Sequence, residues 1–339
     1  MGRENKKYKK SLHQQAHDAL SKMYAFGESK KKAKKEGSLD GKIFSYNTYK
    51  TYWKHIKYFL KYIEQAHPEC TTLSSCEEYV GEWLQERTDQ GLSAWTIQTE
   101  AKALGKLFVI KPEDPEYFVP PVRRRADIKR SRYPCARDKH FSLKNNDEFI
   151  RFCRGTGLRR REITDLKGGD LLTREDINKM LDEFEHDGCL SVWDEVLKKT
   201  CEDTLYFTKG EQYFLNVIGK GGRLRFSPII GEDTEQIVER IKNTPPDAKV
   251  WSHVSQNADI HGYRSEYATN LYRIYARKIE DIPYDQLNKG IDKLYQSDVY
   301  VCRKDERLKR LDRKAMLVCS KALGHNRISI VAENYLRGL

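Results

Sequence analysis

The residues best suited to chemistry lie near the C-terminal end of the chain. Leu323, Gly324 and His325 form a Leu-Gly-His segment, and Tyr335 follows ten positions after the histidine. In a strongly basic protein, a tyrosine at this distance from a Gly-His turn suggests a nucleophile directed at a phosphate group. Taken alone, such a tyrosine is more typical of an ordinary half-buried aromatic residue.

Three upstream segments strengthen this interpretation, because each supplies a cation or a proton donor. In Thr-Gly-Leu-Arg-Arg-Arg-Glu-Ile, Arg159 can place its planar guanidinium on phosphate oxygens, and Glu162 shares its helix face. Lys220 stands among glycines, which let a turn approach a ligand closely. His261 and Arg264 are three residues apart and share one face of a predicted helix.

Together these side chains suit one reaction, the attack of a phenolic oxygen on a DNA phosphodiester. The arginines would neutralise the charge that grows on the non-bridging oxygens. A histidine would help to deprotonate the tyrosine, and the lysine would protonate the departing 5′ oxygen. The product would be a covalent phosphotyrosine that keeps the bond energy, so we predict that no ATP, metal ion or other cofactor is needed.

The elements that must position these residues form two predicted domains. Apolar residues recur at three- and four-residue steps between about 46 and 108, with Asn47 or Thr48 as the expected cap of the first helix and Ser93 as the start of a later one. Residues 41–110 are therefore predicted to be a small helical domain. Helices also dominate 138–339, where two apolar runs around Lys220 predict a β-hairpin. The predicted fold class is mainly α with a small β-sheet, that is, α+β.

Four segments depart from these regular patterns. Residues 1–40 hold eleven Lys/Arg against five Asp/Glu, which predicts a basic DNA-binding arm, although a solvated tail has the same composition. Residues 111–137 combine prolines with arginines and lysines, which predicts an extended basic linker. Two charged stretches, near 172–205 and near 277–316, are predicted to be insertions in the second domain.

The composition of the chain indicates a polyanionic partner. The formal net charge is +12 over 339 residues, and nucleic acid is the commonest polyanion that a basic protein binds. No apolar run is long enough to span a membrane, and the N-terminus lacks the apolar segment of a signal peptide. The eight cysteines are scattered without a Cys-x-x-Cys pair, which favours reduced thiols over a disulfide framework or a zinc site.

The side chains predicted to contact DNA phosphates are three lysines of the first predicted helix and six cations of the linker. They are Lys50, Lys54, Lys57, Arg123, Arg124, Arg125, Lys129, Arg130 and Arg132. For the lysines, a solvated helix face is the alternative interpretation.

In their order along the chain, the four chemical segments resemble those of the tyrosine recombinase, or phage integrase, family. Thr-Gly-Leu-Arg-x-x-Glu, Gly-Lys-Gly-Gly-Arg-x-Arg-x-x-Pro, His-x-x-Arg-x-x-x-Ala-Thr and Leu-Gly-His with a tyrosine ten residues on are similar to the boxes of that family. The resemblance covers most of residues 140–339. A weaker resemblance to the helical core-binding domain of the family covers about 43–108, through Thr-Tyr-x-x-Tyr-Trp-Lys-x-Ile-x-x-Phe and Ser-Ala-Trp-Thr-Ile-Gln.

The resemblance implies a role for each residue of the constellation. Arg159 and Arg264 would bind the phosphate, with Glu162 as the supporting acidic residue. Lys220 would be the general acid of the hairpin, and Tyr335 would be the nucleophile.

The resemblance implies a separate role for each histidine: His261 would be a base or a phosphate ligand, and His325 would steady the phosphate. The resemblance also implies a C-shaped two-domain clamp on double-stranded DNA at specific recombination sites. A homo-tetramer would form the synaptic complex and exchange strands in pairs through a Holliday junction. The expected protein is a metal- and ATP-independent integrase or transposase of a mobile element. It would be cytoplasmic and nucleoid-associated, with accessory DNA-bending or directionality proteins as further partners.

Three features depart from the family pattern. Ser265 stands where many members carry a histidine. The interval from His261 to His325 is long, because it includes the predicted insertion at 277–316. Only four residues follow Tyr335, so a contact in trans would be very short, come from another part of the chain, or be missing because the sequence is truncated.

Two other functions compete with the recombinase interpretation. A type IB topoisomerase-like enzyme would use the same nucleophile and arginines but act as a monomer. A catalytically silent DNA-binding regulator would bind DNA without cleaving it. The core-binding-domain resemblance opposes the first, and the intact set of six residues opposes the second.

Overall fold

The computed structural model describes residues 10–115, 117–124, 140–189, 191–219, 221–282, 297–303, 306–325 and 327–339. Most of them are helical, and their strands form small antiparallel sheets, which confirms the predicted mainly α composition with a small β component. The chain divides into two compact units, Met1–Ile128 and Lys129–Leu339. Within the described residues, no helix is long and apolar enough to cross a membrane.

The first unit is a bundle of helices with its own apolar core. Its helices are α1 (Leu12–Ser21), α2 (Lys30–Lys35), α3 (Tyr46–Ala66), α4 (Val80–Asp89) and α5 (Ala94–Phe108). Ser93 caps α5 through its side chain, as predicted. The cap of α3 is Ser45 rather than Asn47 or Thr48, because the helix begins at Tyr46 and the Ser45 Oγ accepts from the Thr48 N–H.

The first helix belongs to this bundle rather than to a separate arm. Leu12, Ala16 and Leu20 are buried in the same core as residues of α3, α4 and α5. The predicted boundary at residue 40 therefore does not hold for α1, because an apolar stripe at four-residue spacing is buried against the helices that follow. The basic run of residues 30–35 forms the short exposed helix α2.

The second unit combines helices with two small sheets. Its helices are α6 (Asp147–Thr156), α7 (Arg160–Asp165), α8 (Arg174–Asp187), α9 (Val192–Phe207), α10 (Thr234–Lys242), α11 (Ile260–Tyr275), α12 (Arg313–Ala322) and α13 (Ser329–Asn334). Its strands are β1 (Leu171–Thr173), β2 (Tyr213–Gly219), β3 (Arg223–Pro228), β4 (Val299–Val301) and β5 (Arg310–Asp312).

The predicted hairpin is present as β2 and β3, which pair in antiparallel register from Phe214↔Pro228 to Gly219↔Arg223. Strand β1 extends this sheet by pairing with β2. The charged stretch near 172–205 folds into α8 and α9 between β1 and β2. These helices pack on the hairpin through a small cluster of buried residues: Ile177, Cys201, Phe214, Leu224 and Phe226.

The described part of 277–316 is also built into the second unit. Strands β4 and β5 pair with each other, and Val299 and Leu311 are buried. Arg277 donates to Asp312 at 2.7 Å, which ties the end of α11 to the start of α12. Helices α11, α12 and α13 then enclose one core cluster that includes Tyr267, Val331 and Tyr335.

Candidate active site

The turn between α6 and α7 places Arg159 beside Glu162. Gly157 has a φ of +61°, and a Cβ on it would lie 2.2 Å from the Tyr267 ring, so this position requires glycine. Arg159 then stands at the N-cap of α7, where its backbone N–H donates to Glu162 Oε2 at 2.8 Å. Its Nη1 donates to Oε1 of the same carboxylate at 2.7 Å. The predicted pairing of these two side chains across three residues is present.

Arg264 lies on α11 with only 2% of its surface exposed. Its guanidinium donates to the carbonyl oxygens of Gly157 and Leu323, and its Nε lies 3.3 Å from the Tyr335 hydroxyl. The Glu162 carboxylate is 3.9 Å from Nη1, beyond hydrogen-bond distance. Burial lowers the pKa of Arg264 to about 10, so the group stays charged at neutral pH. This buried cation is held mainly by carbonyl dipoles rather than by an ion pair.

Tyr335 follows α13, and its hydroxyl meets two of the predicted residues at once. Arg264 Nε and His325 Nε2 each lie 3.3 Å from the phenolic oxygen. The backbone carbonyl of Tyr335 accepts from Ser265 Oγ at 3.1 Å and from Thr269 Oγ1 at 3.3 Å. Helix α11 therefore fixes both the backbone and the hydroxyl of the tyrosine, and Ser265 acts on the backbone of Tyr335.

His325 is neutral at physiological pH. Burial, together with the positive charges of Arg264, Arg159 and Arg225, lowers the pKa of His325 to about 4. A neutral imidazole has one nitrogen with a free lone pair, so the ring can accept a hydrogen bond and, once a bound phosphate raises its pKa, a proton. The backbone N–H of His325 donates to the Ser320 carbonyl at 2.7 Å, which fixes the turn that carries the imidazole ring.

Arg225 completes the site, and it is a residue for which the sequence predicted no role. It lies on β3 with 5% of its surface exposed, and its two Nη atoms donate to the Glu162 carboxylate at 3.2 and 2.8 Å. Its Nε donates to the Ala322 carbonyl at 2.8 Å. The available signal was a charged residue between Leu224 and Phe226, within the Gly-Lys-Gly-Gly-Arg-x-Arg-x-x-Pro segment.

The charges in this cluster do not cancel. Burial would raise the pKa of the Glu162 carboxyl, but the hydrogen bonds and charge of Arg225 outweigh it and hold that pKa at about 2. One carboxylate therefore stands against three guanidinium groups, those of Arg159, Arg225 and Arg264, which leaves a net charge of +2. A partly buried excess of positive charge is suited to binding a phosphodiester.

Of the two remaining predicted catalytic residues, His261 is described and lies at the edge of this cluster. His261 is in the first turn of α11, with its ring centroid 5.6 Å from that of Tyr335. Lys220 lies outside the described residues. Its neighbour Gly219 ends β2 so close to Arg225 that a Cβ on the glycine would lie 3.0 Å from Arg225 Nη1, which places the base of the hairpin at the site. A cleft of about 550 Å³ adjoins His325 and runs between α9 and α12.

Five of the nine candidate DNA-binding residues are among the described residues. Lys50, Lys54 and Lys57 are exposed on α3. The guanidinium of Arg123 lies 5.9 Å from the centre of the Trp95 ring, and Arg124 is exposed. Outside the described residues lie Arg125, Lys129, Arg130 and Arg132.

The described residues contain no group of three or more His, Cys, Asp or Glu side chains placed to hold a metal ion. No family model matches the chain, and a search of curated proteins finds no significant match.

Proposed function

We propose that the chain is a site-specific tyrosine recombinase, which cleaves and rejoins DNA through a 3′-phosphotyrosine intermediate. One observation carries the proposal: the Tyr335 hydroxyl lies 3.3 Å from both a buried guanidinium and a neutral imidazole nitrogen. A phenolic oxygen in this position can lose its proton to the imidazole while the guanidinium stabilises the negative charge that develops.

The proposed reaction conserves the number of phosphoester bonds. The Tyr335 oxygen attacks the phosphorus, the new P–O bond forms, and the bond to the 5′ oxygen breaks. The phenolic proton passes to His325, because its Nε2 lies 3.3 Å from the hydroxyl. His261, whose ring is centred 5.6 Å from that of Tyr335, is the alternative proton acceptor and a candidate phosphate ligand. Lys220 is the proposed donor of a proton to the 5′ oxygen.

The guanidinium groups have distinct proposed roles. Arg159, with 32% of its side chain exposed, is the one best placed to bind a phosphate arriving from solvent. Arg264 stabilises the phenolic oxygen and the developing charge on the phosphate. Arg225 donates to Glu162 and to the Ala322 carbonyl at the end of α12, and its proposed role is to hold both in position.

The assembly proposed around this site follows the family resemblance. The two units would close on double-stranded DNA as a C-shaped clamp, and four copies would exchange strands through a Holliday junction. The basic residues of α3 and of the linker would contact the phosphates, so DNA affinity should fall steeply with salt. Integration or excision of a mobile element is the reaction that we propose for the complex.

Covalent trapping tests the chemistry directly. The protein is mixed with nicked duplexes that carry candidate element ends, denatured, and examined for a protein–DNA adduct. We expect an adduct with the wild type and with Tyr206→Phe, a control at an exposed tyrosine, and none with Tyr335→Phe. Tight binding without an adduct would instead support a silent DNA-binding regulator, and an adduct that persists in Tyr335→Phe would refute the assigned nucleophile.

A second experiment separates the recombinase from a type IB topoisomerase. Sedimentation of the wild type on paired sites should show a tetramer, whereas relaxation of supercoils by a monomer would support the topoisomerase. Arg159→Ala should abolish the adduct with a modest loss of DNA binding. Arg159 suits this test better than Arg264, because Arg264 is only 2% exposed and its removal would take the guanidinium donor away from the buried Gly157 carbonyl.

A further inference from the structure

The first unit carries an exposed cluster of aromatic rings that the proposed chemistry does not use. Tyr24 and Phe26 follow α1, and Tyr46 begins α3; their exposed fractions are 39%, 41% and 60%. The Tyr24 and Phe26 rings stack with centroids 4.6 Å apart and planes 25° apart, and the Tyr46 ring meets Phe26 edge-on at 6.0 Å. Large aromatic side chains exposed together indicate a binding surface. We refer to these three residues as the aromatic platform.

The platform is held in place by the fold. The Ala25 N–H donates to the Ile43 carbonyl at 3.1 Å, and the Ile43 N–H donates to the Met23 carbonyl at 2.7 Å. Beneath the exposed rings, the buried Tyr49 lies 5.0 Å from Tyr24. A ligand would therefore meet rings whose backbone is already fixed, which reduces the entropy lost on binding.

The surroundings of the platform are basic. Lys50 Nζ lies 5.7 Å from the centre of the Tyr46 ring. Helix α2, with the sequence Lys-Lys-Lys-Ala-Lys-Lys, begins four residues after Phe26. Glu28, which lies between them in sequence, is paired with Lys42 at 2.7 Å. A ligand that fits this surface has a flat ring to stack and a negative charge beside it.

Unpaired nucleotides combine these two properties. In a duplex both faces of each base are covered by its neighbours, whereas a single strand offers its bases to aromatic side chains and its phosphates to lysines. We propose that the aromatic platform binds unpaired bases of single-stranded DNA, with Lys50 on the adjoining phosphate. That the bound nucleic acid is DNA rests on the proposed function. The exposed rings and the lysines beside them support a single strand rather than a duplex.

The test measures binding of a fluorescent oligothymidylate to the full chain by anisotropy, with excess unlabelled duplex to occupy duplex-binding surfaces. Tyr46→Leu keeps an apolar side chain of similar size but removes the ring, and Tyr46→Phe keeps the ring. We expect Tyr46→Leu to weaken single-strand binding by roughly five- to 150-fold. Tyr46→Phe, and Tyr206→Leu at an exposed tyrosine of the second unit, should bind like the wild type.

Labelled duplex, measured separately, distinguishes stacking from general charge. Equal weakening of single strand and duplex by Tyr46→Leu would overturn the proposal, and so would unchanged single-strand binding. A change in self-association on sedimentation, with nucleic-acid binding intact, would identify the platform as a protein interface and also overturn it. Phe26→Leu provides an independent second variant, with the same expected loss.

This experiment and the adduct assay fail independently. An adduct at Tyr335 together with ring-independent single-strand binding would leave the recombinase proposal standing and refute the platform. Ring-dependent single-strand binding without any adduct would support the platform and refute the proposed reaction.

Discussion

Replacing Arg225 with methionine tests the electrostatic balance of the site. Methionine is unbranched and apolar, so it can occupy the space along the Arg225 side chain but cannot donate to Glu162. In the wild type both partners are nearly inaccessible, with side-chain exposures of 6% and 5%. Removing one partner of a buried ion pair typically destabilises a protein by about 3–5 kcal/mol, because the other charge remains buried. Because Arg159 also donates to this carboxylate in the wild type, we expect the lower end of this range.

The pKa of Glu162 leads to the same magnitude and predicts its pH dependence. A folded-state pKa of about 2 against the ordinary 4.5 corresponds to about 3 kcal/mol of stabilisation. Because the folded-state pKa is the lower one, this stabilisation is fully present above pH 4.5 and is lost as the pH falls from 4.5 towards 2. The hydrogen bond and charge of Arg225 lower this pKa more than those of Arg159 do, so Arg225→Met should lose most of this stabilisation at neutral pH, up to about 3 kcal/mol. The difference from the wild type should shrink through the acidic window.

The assay must report on the second unit alone, because the two units need not unfold together. The protein is equilibrated in urea at each pH and labelled by a brief deuterium pulse at one fixed pH, and exchange is read in peptides from β2 and β3. Arg161→Met is the matched control, because Arg161 forms an ion pair with Asp165 at 3.4 Å while 94% of its side chain is exposed. Wild-type stability of Arg225→Met at neutral pH, or a deficit that stays constant into acid, would refute this reasoning.

Four further predictions follow from the same geometry. The pKa of His325 is about 4 against the ordinary 6.5, so its contribution to stability is fully present above pH 6.5 and is lost progressively as the pH falls to 4. A bound phosphate should raise this pKa. Calorimetry in buffers of different ionisation enthalpy should therefore show proton uptake on DNA binding between pH 4 and pH 6.5, and this uptake should be absent in His325→Gln. Ser265→Ala should slow adduct formation roughly five-fold in single-turnover kinetics with unchanged DNA affinity, because it removes one hydrogen bond to the nucleophile's backbone. In urea unfolding, Gly157→Ala should destabilise the second unit by more than about 1 kcal/mol and by more than Gly231→Ala does. Both glycines have a positive φ, but only a Cβ at Gly157 would meet the Tyr267 ring. Adduct formation should proceed at the same rate with a metal chelator present, and a lasting loss of activity would refute the metal-free mechanism.

Features with a local cause were predicted well from the sequence. The Ser93 cap and the helix after it, the hairpin around Lys220 and the pairing of Arg159 with Glu162 depend on residues a few positions apart. The three-residue strands β1, β4 and β5 were missed, because a period of two cannot be detected over three residues. Helix α1 was assigned to a basic arm, because net charge masked an apolar stripe of three buried residues.

By itself, the sequence determined which residues could do chemistry, and it placed most of them at the ends of helices and turns. Only the tertiary structure decided which of them meet. Arg264 and Tyr335, 71 positions apart, are joined through α11 and α13, and Arg225 reaches Glu162 across 63 positions. The neutral state of His325 is likewise a tertiary property, because a pKa sums the burial and the charges of groups from distant parts of the chain. The local sequence pattern can identify candidate catalytic side chains and secondary-structure elements. Long-range packing sets the distances between these side chains and the electrostatic field in which they act.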